Sequence, residues 1–172
     1  MVKKIITVLC LILVLLGLNS CMVNNKKNTK EIPKKGIVLV WQYVNGAWGY
    51  ENKGTFVDIN GNVYTFDFSD CIDISQEETV QRLLEIYEKD KPTMSVDKEI
   101  VKECYLKIPD INTEAELKKE YAGCVDMGQQ TLYAMTYNQD TLVELCSEGD
   151  YEVKRNDKNA QEISDLYEEL MK

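Results

Sequence analysis

"GIVLVWQYVNGAWGYENKGTFVDINGNVYTFDF", residues 36–68, decides the fold class. Ile37 to Val44 is dense in β-branched and aromatic residues, and Asn45-Gly46 follows, a short-range signal for a two-residue hairpin turn. Asn60-Gly61 repeats the device between two more strand-like runs, where Tyr64, Phe66 and Phe68 alternate onto one face. The stretch predicts a four-strand antiparallel meander over about Ile37 to Phe68. A turn at Asn45-Gly46 would pair Val44 with Ala47, Tyr43 with Trp48, and Trp41 with Tyr50. Trp41, Tyr43, Trp48 and Tyr50 would then share one face, as core or as a candidate contact for a surface protein or a carbohydrate.

Downstream the period changes to that of helices. Ser75-Gln76-Glu77-Glu78 fits a capping box. Val80, Leu83, Leu84 and Tyr87 follow at helical spacing, and Lys89 to Pro92 ends the element. A second helix is expected from Ser95, carrying Ile100, Val101, Cys104 and Tyr105 and stopped by Pro109. "TEAELKKEYAG", residues 113–123, reads as a third, short and mostly polar helix. "TLYAMTY" (131–137) and "TLVELC" (141–146) flank Asn138-Gln139-Asp140 as a hairpin. Asp157 caps a last helix with Ala160, Ile163, Leu166, Tyr167 and Leu170 in one stripe. The order predicts a single α+β domain: an antiparallel sheet of about six strands with three to four helices, packed on one face. The turns between the early strands are too short for parallel crossovers.

The N-terminus reads differently. Lys3 and Lys4 precede an apolar run, Ile5 to Leu18, broken only by Thr7 and Gly17. As a helix it would reach roughly 21 Å, short of the ~30 Å hydrocarbon core, so the run fits a signal peptide better than a membrane span. Leu18-Asn19-Ser20-Cys21 resembles the lipobox of bacterial prolipoproteins, with Leu at −3, a small residue at −1 and Cys at +1; Asn19 stands where that class usually has Ala, Ser or Thr. The resemblance covers about the first twenty-one residues. It implies a signal peptide over 1–20, a diacylglyceryl adduct on the Cys21 thiol, cleavage before Cys21, and a membrane partner reached through that anchor. Acyl chains in pairs hold a protein stably at a bilayer.

Residues 21–35 read as the lipidated cysteine and a disordered basic tether, with five Lys against Glu31 and little to bury. Residues 1–20 carry two Lys and no acid, so their removal takes the net charge from −9 to −11. Residues 36–172 hold 13 of the 20 basic and 28 of the 29 acidic side chains, a balance of −15. Such a domain stands away from anionic bilayers and is not built for nucleic acid. The Lys- and Asn-rich, His-free composition is similar to that of lipoproteins of low-GC Gram-positive bacteria.

The absence of histidine removes His triads, His bases and His metal sites. No Gly-rich phosphate loop and no Gly-x-Ser-x-Gly elbow is found. "DINGNVYTFDFSDCID" offers Asp58, Asn60 and Asn62, with Asp67, Asp70 and Asp73, as calcium ligands, but Gly61 is fourth and Ser69 twelfth from Asp58, which is not the EF-hand spacing. Those residues are read as turn formers, and no metal or cofactor is expected. Cys71, Cys104, Cys124 and Cys146 remain after processing. An even number in an exported domain predicts at least one disulfide, with three connectivities open. The sum is an extracytoplasmic, membrane-anchored lipoprotein with a binding or scaffolding role. An extracytoplasmic hydrolase using paired carboxylates and an inhibitor or immunity-type protein are the alternatives.

Overall fold

A computed structural model describes residues 31–47, 49–122 and 127–172. Its frame is one antiparallel sheet. Strands β1 (Ile37–Asn45), β2 (Glu51–Asp58) and β3 (Asn62–Asp67) form a meander. Helix α1 (Gln76–Lys89) follows, then the two-residue β4 (Met94–Ser95), helix α2 (Lys98–Lys107) and a 3₁₀ turn (Ile108–Asp110). Strands β5 (Leu117–Tyr121), β6 (Gln129–Met135), β7 (Leu142–Glu148) and β8 (Tyr151–Arg155) and helix α3 (Lys158–Leu170) complete the chain. The sheet runs β4-β3-β2-β1-β6-β7-β8-β5, so β1 and β6 are central and β4 and β5 are the edges. Residues Ile32–Lys172 form one compact unit. The α+β class and antiparallel sheet are as expected; among the described residues there are eight strands, where about six were foreseen, and three helices, within the expected range.

The helices cover both faces of the sheet, where one face was expected. Ile37, Val40, Phe56, Tyr64 and Phe66 pack with Val80 and Leu83 of α1. Val38, Leu39, Val57, Ala134 and Leu145 pack with Val101 and Cys104 of α2 and Ala160 and Ile163 of α3. The reason lies in "IVLV": Ile37 through Val40 are each at most 1% exposed, and a strand apolar on both sides needs cover on both sides. An irregularity in the pairing between Ile37 and Leu39 leaves Val38 and Leu39 in the same core.

The first hairpin corrects the expected register. Trp41 pairs with Thr55, Tyr43 with Lys53 and Val44 with Asn52, and β1 ends at Asn45 while β2 begins only at Glu51. A two-residue turn would have set Val40 opposite Glu51; the observed register sets it opposite Phe56, with both side chains buried. Apolar matching over the length of a strand outweighs one local turn preference. Four expected strands therefore become three. The second hairpin forms as read: Gly61 takes φ +80°, and the buried Asp58 carboxylate accepts from Asn60 N, Asn62 N and Asn62 Nδ2.

The caps at Ser75 and Asp157 form as expected, through Glu78 N and Ala160 N. The second helix opens later than Ser95, capped by Asp97 through Glu99 N. Residues 117–121, expected as helix, are edge strand β5 paired to β8, which sequence reading missed. Helix-forming Glu, Lys and Leu yield here because the stretch lacks an apolar stripe for a core, while β8 offers open backbone groups. The 138–140 turn joins β6 and β7, and its Gln139 (φ +59°) brackets β1: Oε1 accepts from Ile37 N at 2.7 Å and Nε2 donates to Ile37 O at 2.8 Å.

Gly54 marks the tightest approach. A Cβ there would lie 2.0 Å from the Trp41 carbonyl oxygen and 2.7 Å from Phe66 Cζ. Gly54→Ala is expected to lose about 3 kcal/mol of stability in urea unfolding. Gly46→Ala, where a Cβ meets nothing within 4 Å, should stay within about 0.5 kcal/mol of the parent. Equal effects would contradict this register.

Candidate functional site: an uncovered polar groove on the sheet

Each central strand changes character along its length. β1 runs from Ile-Val-Leu-Val to Gln42 and Val44, and β2 from Asn52 to Phe56. β6 runs from Gln129 and Thr131 to Met135, and β7 from Leu142 to Ser147. Because neighbours are antiparallel, the polar halves all fall at one end of the sheet: Gln42 lies across from Thr131, and Thr131 from Ser147. Helix α1 docks on the apolar half of its face, packing Val80 and Leu83 against Val40, Phe56 and Met135. The polar half stays open.

Two cavities of about 550 and 240 Å³ lie there and share Val44 and Tyr133 in their linings, so they form one groove. The α1 end is bounded by Asp73, Gln76 and Thr79, with Gln76 Nε2 donating to Leu142 O at 2.8 Å. The far end is bounded by Lys119, Asp150 and Tyr151. Its floor is held by side-chain hydrogen bonds. Gln42 Nε2 donates to Asn52 Oδ1 at 2.7 Å, and Asn52 Nδ2 reaches the Tyr50 hydroxyl at 3.4 Å. Gln129 Nε2 donates to Ser147 Oγ at 3.2 Å, and Ser147 Oγ donates to Glu144 Oε1 at 3.0 Å. Burial pushes the Tyr133 phenol above its ordinary pKa; a hydrogen bond with Thr131 offsets part of the rise and the Glu144 charge adds to it. Gln42, Asn52, Thr131 and Ser147 are all buried, so these donors and acceptors are fixed before any ligand arrives.

At the outer end Lys119 Nζ sits 3.8 Å from the Tyr151 ring centroid, and Tyr121 meets Tyr151 edge-on at 5.6 Å. Asp150 Oδ1 is buried and has no hydrogen-bond partner among the described residues. A second crevice, between Phe68 and α1, is of a different kind. Arg82 there lies over Phe68 and pairs with Glu78 at 3.3 Å and Asp70 at 3.8 Å, so its charges are already satisfied within an open, solvated surface.

The residues singled out from sequence are dispersed. Trp41 and Tyr43 share the face that carries α2 and α3, whereas Tyr50 lies with Gln42 and Asn52 on the groove face, so the expected four-aromatic face does not form. Trp48, Cys124 and Cys21 lie outside the described residues. Among the described residues no two of Cys71, Cys104 and Cys146 are bonded to each other. Cys71 lies beside Arg82; burial pushes Cys104 on α2 up to about 12 and raises Cys146 on β7. Asp58, Asn60 and Asn62 shape the hairpin, and among the described residues no three of Cys, Asp and Glu are placed to hold a metal. Asp67 and Asp140 are held below the usual carboxylate range by neighbouring hydroxyl groups, and Glu162 by Lys107 and Lys158. A glycosidase acid requires the opposite displacement.

Comparison of the chain with protein-family models, curated proteins and solved structures gives no match.

The groove network makes a stability prediction. Asn52→Ala removes the acceptor of buried Gln42 Nε2 and should cost about 1–3 kcal/mol. Replacing both partners, Gln42→Leu with Asn52→Leu, should recover much of that loss, since two matched apolar groups leave nothing unsatisfied. Chemical denaturation of the single and double variants measures it; a double variant worse than the sum of the single changes would contradict the pairing.

Proposed function

We propose that the protein is a membrane-anchored extracytoplasmic lipoprotein whose domain binds a ligand, without catalysis, in the groove between α1 and the β5–β8 edge. The observation that carries the binding half is the set of buried, hydrogen-bonded neutral side chains on the uncovered part of the sheet. Polar groups buried in a sheet interior cost stability relative to apolar ones, and pre-fixed polar groups around a concavity are what ligand sites have in common. The anchoring half rests on the lipobox-like Leu18–Cys21 segment. No helix among the described residues is long and apolar enough to cross a membrane, which is compatible with an anchor of that kind.

A photo-crosslinking residue at position 129, in the groove, should capture a component of the cell envelope when the full chain is expressed in its membrane. The same residue at position 168, on the opposite side of the sheet, should not. Equal capture at both positions would remove the groove as the site.

The anchor is tested by mass. The mature protein should begin at Cys21, carry a diacylglyceryl adduct and partition into detergent, and Cys21→Ser should release or misprocess it. Alkylation of the same denatured, unreduced sample should find fewer than four thiols among Cys71, Cys104, Cys124 and Cys146 if export oxidises them. Four free thiols would overturn the disulfide, and an unmodified N-terminus elsewhere would overturn the anchor.

A further inference from the structure

We infer that the groove receives an uncharged, polyhydroxylated ligand: a short segment of a neutral glycan. This rests on the groove being the binding site proposed above.

Charge narrows the ligand first. On a domain with a balance of −15, the larger cavity is lined by one cation and one anion, Lys119 and Asp150, and otherwise by neutral residues. Asp73 adds a negative charge at the α1 end. Nothing there offsets a polyanion, which the domain as a whole repels, and nothing concentrates enough negative charge for a polycation.

The floor excludes an extended peptide. It consists of strands β1, β6 and β7, each paired on both sides, so their backbone groups are not open to a new strand. Recognition has to run through side chains. The aliphatic lining of the larger cavity is Val44, Ala47 and Val153, too little to seat the large aromatic or aliphatic anchors that dominate protein interfaces; Ile74 and Leu142 line only the smaller cavity beside α1.

What the groove does present is amide, hydroxyl and phenol groups at fixed positions. A sugar hydroxyl both donates and accepts, so it can join Gln129, Thr131 or Tyr133 in either sense. The Asp150 carboxylate lines the same cavity and accepts from a sugar hydroxyl brought to this corner. Tyr50 at one end and Tyr151 at the other combine an apolar ring with a polar tip, matching the carbon-bound hydrogens and hydroxyls of a pyranose. The larger cavity falls within the size range of small-ligand sites.

Titration calorimetry on the full, lipidated chain tests this, in a polyoxyethylene detergent so that no sugar headgroup competes. The probes are cellotetraose, maltotetraose and chitotetraose, with tetragalacturonate as the acidic comparison. At least one neutral tetrasaccharide should bind with a sub-millimolar Kd, and tetragalacturonate should bind more weakly. Gln129→Ala and Asp150→Asn should each weaken that binding about tenfold with the melting temperature kept, whereas Glu168→Gln should leave it unchanged. If no neutral tetrasaccharide binds while crosslinking at position 129 still captures a protein or lipid, the ligand class is overturned and the site stands. If crosslinking there fails as well, both fall together.

Discussion

Burial of Ile37–Val40 on both sides of the central strand is the constraint from which the rest of the architecture follows. Four consecutive apolar residues cannot be hidden by a sheet with one covered face, so the chain must supply helices from two directions. It does so with α1 on one face and the α2–α3 pair on the other. The same run fixes the register of both neighbours, because Val40 must meet Phe56 on β2 and Leu39 must meet Ala134 on β6. Even the start of β1 is held from afar, by the Gln139 amide bonded to both backbone groups of Ile37. A side chain from the β6–β7 turn thus continues the ladder where the β1–β2 pairing becomes irregular.

The groove is the other consequence of that arrangement. A helix is drawn to where apolar area can be buried, and on the α1 face that area ends at Val40, Phe56, Met135 and Leu142. Beyond them the antiparallel strands present Gln42, Asn52, Thr131 and Ser147, which offer a helix no hydrophobic gain. Edge strand β5 carries the sheet further, exposed at all five residues and guarded by Lys118 and Lys119 against pairing with another chain. Buried Arg155 secures that region by donating to the carbonyls of Glu144, Thr113 and Ala115, main-chain partners in place of a carboxylate. An open polar face backed by so firmly tied a frame is suited to holding a ligand without rearrangement.

Local chemistry was legible in the sequence wherever a few adjacent residues settle the outcome. The Ser75 and Asp157 caps, the Asn60-Gly61 hairpin and the 138–140 turn each depend on side chains bonding backbone within four residues. Asn45-Gly46 has the same local signal, yet a longer loop forms because the alignment of Val40 with Phe56 involves more burial than one turn type can offset. Residues 117–121 were misread for a related reason: helix propensity is weak where no stripe faces a core, and the partner residues on β8 lie 30 to 38 positions away. The groove was harder to see than either. No single stretch encodes it. Its signal is a gradient, apolar to polar along β1 and β7 and polar to apolar along β2 and β6, and it becomes a site only once antiparallel pairing brings the polar ends together.

That gradient also argues against a purely architectural role for these residues. Gln42 and Asn52 are buried and bonded to each other, and a pair of apolar residues in their place would extend the core that α1 already covers. Thr131 and Ser147, also buried, continue the polar row across β6 and β7 toward Gln129. Each polar group had to be desolvated and then given a partner, an arrangement that contributes little net stability and leaves half a sheet face without a helix. The fold requires none of this: its register, its twofold cover and its turns are set by the apolar ends of the same strands. Where sequence departs from what stability alone would choose, and the departures converge on one concavity, the proposed binding role supplies a physical reason that the fold itself does not.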